Sequence, residues 1–181
     1  MFKKISILFL LLNMSAANPV YSSGTLSADS DHGRVIMTGS IIDTACAIST
    51  GSLDQTVDMG AVPVSRIIRD GQGAKKDFSI NLVKCILERH EAGLNKWQYF
   101  TITFDGFNDD GLFSVAGEAK GVAIRISDRD GNVASPGVAL PPGEIEAGDM
   151  SLNFSMQLVS NHQALHAGEY NSIIKFKMDY E

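Results

Sequence analysis

The chain has 181 residues with 15 basic against 21 acidic side chains, and a formal net charge of -6 disfavours a nucleic-acid partner, whose phosphates need a basic surface. Its length suits a single domain, and no apolar run reaches the roughly 20 residues that a membrane-spanning helix needs. The N-terminus reads as an export address: Lys3 and Lys4 form a positive region, Ile5 to Leu12 an apolar one, and Ser15, Ala16 and Ala17 a small-residue cleavage site. Cleavage after residue 17 leaves about 164 residues, with Ser22 as the alternative site, and moves the formal net charge from -6 to -8 (13 basic against 21 acidic).

A polar stretch, Asn18 to His32, precedes "GRVIMTGSII", Gly33 to Ile42. Here Val35, Met37 and Ile41 alternate on one face with Gly39 between them, and Arg34, Thr38 and Ser40 fall on the other. A half-apolar strand on a tether is either the first strand of its own domain or a strand offered to another molecule. Gly39 reads as a close approach of another backbone or side chain, with a simple bulge as the alternative. Val57 and Met59 predict a further strand before Gly60.

Alternation then continues along the chain, and each run predicts a half-buried strand: Phe78, Ile80 and Leu82 up to Cys85; Phe100, Ile102 and Phe104; Val122, Ile124 and Ile126; Leu152, Phe154, Met156 and Leu158. The last run is Tyr170, Ile174, Phe176, Met178 and Tyr180, with Ser172 in register. Turn signals separate the runs at Asp70-Gly71-Gln72-Gly73, Asp105-Gly106, Asp109-Asp110-Gly111, Asp130-Gly131-Asn132, Ser135-Pro136-Gly137 and Pro141-Pro142-Gly143. No helical stripe is comparable, and Leu87 to Trp97 reads as a loop with room for a short helical turn. The pattern predicts an all-β sandwich of immunoglobulin-like type.

Cys46 and Cys85 both lie in the exported part, where oxidising conditions favour a disulfide; two buried free thiols are the alternative. Closing a loop of about 40 residues would stabilise the fold by about 4 kcal/mol in the chain-entropy model. Neither cysteine has a Cys-x-x-Cys spacing or a nearby histidine, so no metal site is expected. His162 and His166 fall in a loop rather than on a helix, and Asp128 to Asn132 lacks the later ligands of a calcium loop. No Gly-x-Ser-x-Gly, His-Glu-x-x-His or phosphate-cradling loop occurs, and Glu144, Glu146 and Asp149 lie in a Pro/Gly-rich stretch where carboxylates face solvent. No enzyme, cofactor or small-molecule substrate is expected.

Taken together, "GRVIMTGSIIDTACAI", "VDMGAVPVSRI", "FSINLVKC", "FTITFDG", "AKGVAIRISDRDGN" and "HAGEYNSIIKFKMDYE" resemble the subunits of chaperone-usher fimbriae. In the tail, Gly168 is fourteenth from the end and Tyr180 penultimate, as in that family's chaperone-recognition pattern. Within the family, "VPVSRI", "TFDG", "AKGVAIRI" and "DYE" look most like the small subunit that terminates and anchors P-type pili; ordinary rod subunits share most of these positions.

The resemblance implies an incomplete sandwich lacking its last strand, with residues 18–39 as an N-terminal extension ending in a donor strand and 40–181 as the pilin domain, whose first strand runs from about Ser40 toward Cys46. Gly33, Val35, Met37, Gly39 and Ile41 become donor-strand positions. Gly168, Tyr170, Ile174, Phe176, Met178 and Tyr180 become the terminal strand, core in the sandwich and also the edge a chaperone meets. The implied partners are a periplasmic chaperone, an outer-membrane usher and neighbouring subunits, and the implied destination is the cell-surface fimbrium. Burying Val35, Met37 and Ile41 would contribute roughly 5 to 9 kcal/mol before ordering costs. A tip adhesin, which needs a separate receptor-binding domain, has no room in about 164 residues.

Overall fold

The computed structural model describes residues 34–91 and 93–181, which divide into a stretch up to Ser40 and a body from Ile41 to Glu181. The signal segment, the polar stretch and Gly33 lie outside the described residues. In chain order the body comprises β1 (Ala47–Ile48), α1 (Thr50–Leu53), α2 (Val64–Asp70), β2 (Gln72–Cys85), β3 (Tyr99–Asp105), β4 (Asn108–Asp109), β5 (Leu112–Ser114), β6 (Ala116–Gly117), β7 (Val122–Asp128), β8 (Gly143–Glu144), β9 (Gly148–Ser160), β10 (Tyr170–Asn171) and β11 (Lys175–Tyr180).

Six strands form one sheet in the order β1-β2-β9-β7-β5-β4, three form a second in the order β11-β3-β8, and β10 pairs with β6. All of these ladders are antiparallel. The longest joins β2 to β9 from Gln72↔Val159 to Cys85↔Gly148, with register shifts near both ends. Apolar side chains from the inner faces meet between the sheets. Phe104 of β3 packs edge-on against Phe154 of β9 at 5.1 Å, and Phe154 stacks on Phe78 of β2 at 5.5 Å. Ile80, Leu82, Phe113 and Ile126 are sealed from solvent at the centre. Burial of this kind is the main favourable term in such a sandwich.

Cys46 and Cys85 form a disulfide, with Cα atoms 4.1 Å apart. It ties the start of β1 to the end of β2. The backbone supports the same junction, because Ile86 N–H donates to the Ala45 carbonyl at 2.8 Å.

Four expectations need correction. Residues 40–46 form no strand, and pairing starts only at Ala47↔Val83. Val57 and Met59 are half-buried in alternation as predicted, yet residues 54–63 form no ladder. A helix, α2, occupies Val64–Asp70: Pro63 stands at its N-cap, and Gly71 closes it in the left-handed conformation (φ 70°), donating its N–H to the Ile67 carbonyl at 2.9 Å. The predicted turn at residues 70–73 is therefore a helix cap followed by the opening residues of β2. Finally, Gly143 opens β8 rather than closing a turn. The described residues between Cys85 and Tyr99 form no helix; Trp97 N–H donates to the Leu87 carbonyl at 2.8 Å and closes this loop.

Candidate strand-acceptor groove

β11 pairs with β3 through six residues, from Lys175↔Asp105 to Tyr180↔Phe100. Among the described residues its other edge has no partner. From Tyr170 to Tyr180 every second residue is half-buried, namely Tyr170, Ser172, Ile174, Phe176, Met178 and Tyr180. The residues between them are exposed. The predicted register of the terminal run is thus found, but with no side chain in it fully buried.

The free edge borders a groove of about 1010 Å³. One wall is Tyr170 to Phe176 and the other is residues 52–60; on the floor Phe78 and Met156 stay half-buried, while Ile80, Phe104, Ile124 and Ile126 are buried. The second wall explains the failed strand prediction. Residues 54–60 carry strand-like alternation, with Val57 and Met59 turned inward, but the place where a backbone partner would lie is the groove itself. Two backbone segments that form no ladder with each other therefore face one another across an apolar floor. An exposed edge beside apolar surface is a template for another strand.

The ends of the terminal run are fixed by different contacts. At Gly168 a Cβ atom would come within 2.5 Å of Glu118 Cβ and 2.9 Å of Ala119 N, so the glycine allows the chain to cross close to residues 118–119. That crossing sets up the pair Tyr170↔Gly117. At the other end, Tyr180 meets Trp97 edge-on at 6.1 Å, and the Arg89 guanidinium lies 3.4 Å over the Trp97 ring. The Glu181 carbonyl accepts hydrogen bonds from Gln98 N–H at 2.7 Å and Tyr99 N–H at 3.1 Å. Burial pushes the Tyr180 phenol above its ordinary range.

Tyr170 stands at the opposite end of the groove wall. Its hydroxyl oxygen is buried without a hydrogen-bond partner among the described residues. Burial, and after it the Asp58 carboxylate on the facing wall, raise its pKa. Asp58 Oδ1 accepts the Gly60 N–H at 2.8 Å.

The N-terminal stretch places its alternating residues in solvent: Val35 is 89 %, Met37 91 % and Ile41 104 % exposed. A Cβ at Gly39 would meet nothing within 4 Å. These residues form no ladder, so their pairing rests on another chain or on none.

The readings set aside in the sequence have local explanations. Asp128 Oδ1 accepts N–H bonds from Asp130 at 2.9 Å and Asn132 at 2.8 Å, and Oδ2 accepts from Asn132 Nδ2 at 2.7 Å, which makes this stretch a side-chain-stabilised turn. His166 Nδ1 lies 3.2 Å from the Glu118 carbonyl. Sequence reasoning treated Phe104, Ile124, Ile126 and Met156 as core alone and missed residues 52–56 and Asp58 as a wall. The usable signal was the Val57–Met59 alternation beside a terminal run of the same period.

Antiparallel sheets with an apolar groove beside the free edge of β11 define a class: a β-sandwich with room for one more strand. The sequence pattern of the fimbrial protein family matches residues 35–181, and the chain belongs to that family of structural, non-enzymatic pilus subunits. It is 29 % identical over 151 residues to the PAP fimbrial minor pilin protein of Escherichia coli, covering 82 % of this chain and 77 % of that one. It is 32 % identical over 166 residues to the Fimbria A protein of Serratia marcescens, covering 88 % and 91 %. A solved subunit from a chaperone-usher pilus, described in connection with rod uncoiling, superposes with a TM-score of 0.67 at 23 % identity, covering 84 % of this chain and 97 % of that one. This last likeness shows the fold, an immunoglobulin-like sandwich of the pilin type. The protein is a component of a surface fimbria, where neighbouring subunits are its partners.

Proposed function

We propose that this chain is a minor subunit of a chaperone-usher fimbria, assembled by donor-strand exchange, which terminates the fibre and anchors it at the outer membrane. The observation that supports the mode of assembly is the groove between residues 52–60 and 170–176. A strand entering it pairs with the free edge of β11 and lays alternate side chains on the apolar floor. On this reading residues 18–39 are the subunit's own extension, with Gly33, Val35, Met37, Gly39 and Ile41 as donor-strand positions in a neighbour. The signal segment sends the chain to the periplasm, and a chaperone there lends the first strand against Gly168, Tyr170, Ile174, Phe176, Met178 and Tyr180. The usher then passes the subunit to the surface. The minor role is supported by likeness to the E. coli minor pilin over most of the chain, and the terminal position by the resemblance of "VPVSRI", "TFDG", "AKGVAIRI" and "DYE" to the subunit that ends P-type pili. Removing the subunit from its fimbrial system should give longer fibres shed into the medium; fibres of unchanged length and attachment would eliminate the terminating role and leave the subunit class intact.

A second reading, an ordinary rod or adaptor subunit, is favoured by the groove's being open along the whole of Tyr170 to Phe176. Mixing the purified chaperone complex with a neighbour's extension peptide separates the two. Ready displacement of the chaperone indicates a rod or adaptor subunit, and refusal indicates the terminator.

A further inference from the structure

Oxidisable sulfur is scarce in this chain. Cys46 and Cys85 are joined to each other, and of the seven methionines Met1 and Met14 lie in the signal segment. Met59, Met150, Met156 and Met178 are half-buried; Met59 and Met156 line the groove, and Met178 on β11 packs against the core. Met37 differs from all of them, since at 91 % exposure it is the one methionine among the described residues that stands in solvent. A thioether reacts with a peroxide where the peroxide can reach it, so exposure selects Met37.

Met37 also shares a face with Val35 and Ile41, the apolar face that a donor strand lays on a neighbour's core. A thioether is apolar and flexible, and it fills such a place readily. A sulfoxide at the same position is polar, and burying it among apolar groups strips its water without supplying a hydrogen-bond donor. Val35 and Ile41 carry no group that a peroxide attacks, so the chemistry falls on the middle of the three.

We infer that Met37 is a peroxide-sensitive site that governs insertion of the extension: the unassembled chain is oxidised there, and its sulfoxide form makes a poor donor strand. In the step an S–O bond forms as the O–O bond of hydrogen peroxide breaks. The proton of the transferred hydroxyl passes to the departing hydroxide, which leaves as water, and the sulfur loses the two electrons that the peroxide gains. The inference rests on the extension's acting as a donor strand, and it adds what disables that strand. Insertion covers the sulfur, which confines the sensitivity to the unassembled chain. A subunit that stops a fibre through its extension loses that action when Met37 is oxidised first.

The test treats the mature chain, held by its chaperone, with limiting hydrogen peroxide and maps the sulfoxides by digestion and mass spectrometry. Met37 should be oxidised about fivefold faster than any of the four half-buried methionines. Treated and untreated samples of the native chain and of Met37→Leu are then mixed with the chaperone-bound rod subunit of the same fimbria, and the joined pair is followed by size-exclusion chromatography. Each chain is compared with its own untreated sample. Oxidation should slow joining of the native chain about tenfold and leave that of Met37→Leu unchanged, and the two methionine sulfoxide reductases together should restore the native rate. Equal oxidation at all five methionines, joining of the Met37 sulfoxide form at the native rate, or an equal loss in Met37→Leu overturns the site while leaving the donor strand standing. Failure of the untreated native chain to join removes the donor strand itself, and the site with it.

Discussion

β7 and β11 carry the same kind of sequence, "VAIRISD" and "KFKMDY", with apolar residues at alternate positions, yet their surroundings differ. β7 lies between β5 and β9, and Val122, Ala123, Ile124 and Ile126 are all buried. β11 has β3 on one side only, and Phe176, Met178 and Tyr180 remain half-buried. Alternation therefore reports which face a side chain takes, whereas the number of neighbouring strands decides how dry that face becomes. The complete sheet needs nothing further, while the short sheet ends at an edge that lacks one strand.

The largest expected effect lies on the complete side. Replacing Cys46 and Cys85 together by Ala should cost about 4 kcal/mol in urea denaturation, because the disulfide closes a 39-residue separation. Next, Ile126→Ala in β7 should cost about 3 kcal/mol and Phe176→Ala in β11 about 2 kcal/mol, since the second side chain is only half-buried before truncation. Refolding with a strand peptide should raise the cost of Phe176→Ala and leave that of Ile126→Ala nearly unchanged. Equal responses at the two sites would erase the contrast between the strands.

The smallest effect is on alkaline stability. The folded Tyr170 pKa is raised by burial above its ordinary value of about 10. Its contribution is therefore fully present below pH 10 or so and is lost as pH rises through the folded value. Melting temperatures measured between about pH 9 and 11 should fall less steeply for Tyr170→Phe than for the native chain.

Where strands have partners, the sequence was a good guide. Phe78–Leu82, Phe100–Phe104, Val122–Ile126 and Leu152–Leu158 all lie in ladders, because period-two alternation is a local property that burial on one face imposes. The misses are of two kinds. Val57 and Met59 show true alternation without a ladder, since pairing depends on a neighbour that the local sequence does not encode. α2 is only seven residues long, too short for a periodic stripe, although Val64, Ile67 and Ile68 have helical spacing and Pro63 and Gly71 mark its ends. The groove was legible as a consequence of family resemblance. Its second wall was not, because the two walls bring together residues more than a hundred positions apart.

The disulfide has a mechanical consequence. A pull on residues 34–40 enters the body through Ile41 to Cys46 and would otherwise load β1, whose ladder with β2 is only two pairs long and easily unzipped. The Cys46–Cys85 link bypasses that ladder and hands the tension to the end of β2, whose long pairing with β9 spreads it across the centre of the sheet. A fibre strung together through such extensions would therefore carry its load on a covalent bond and on the longest ladder of each link.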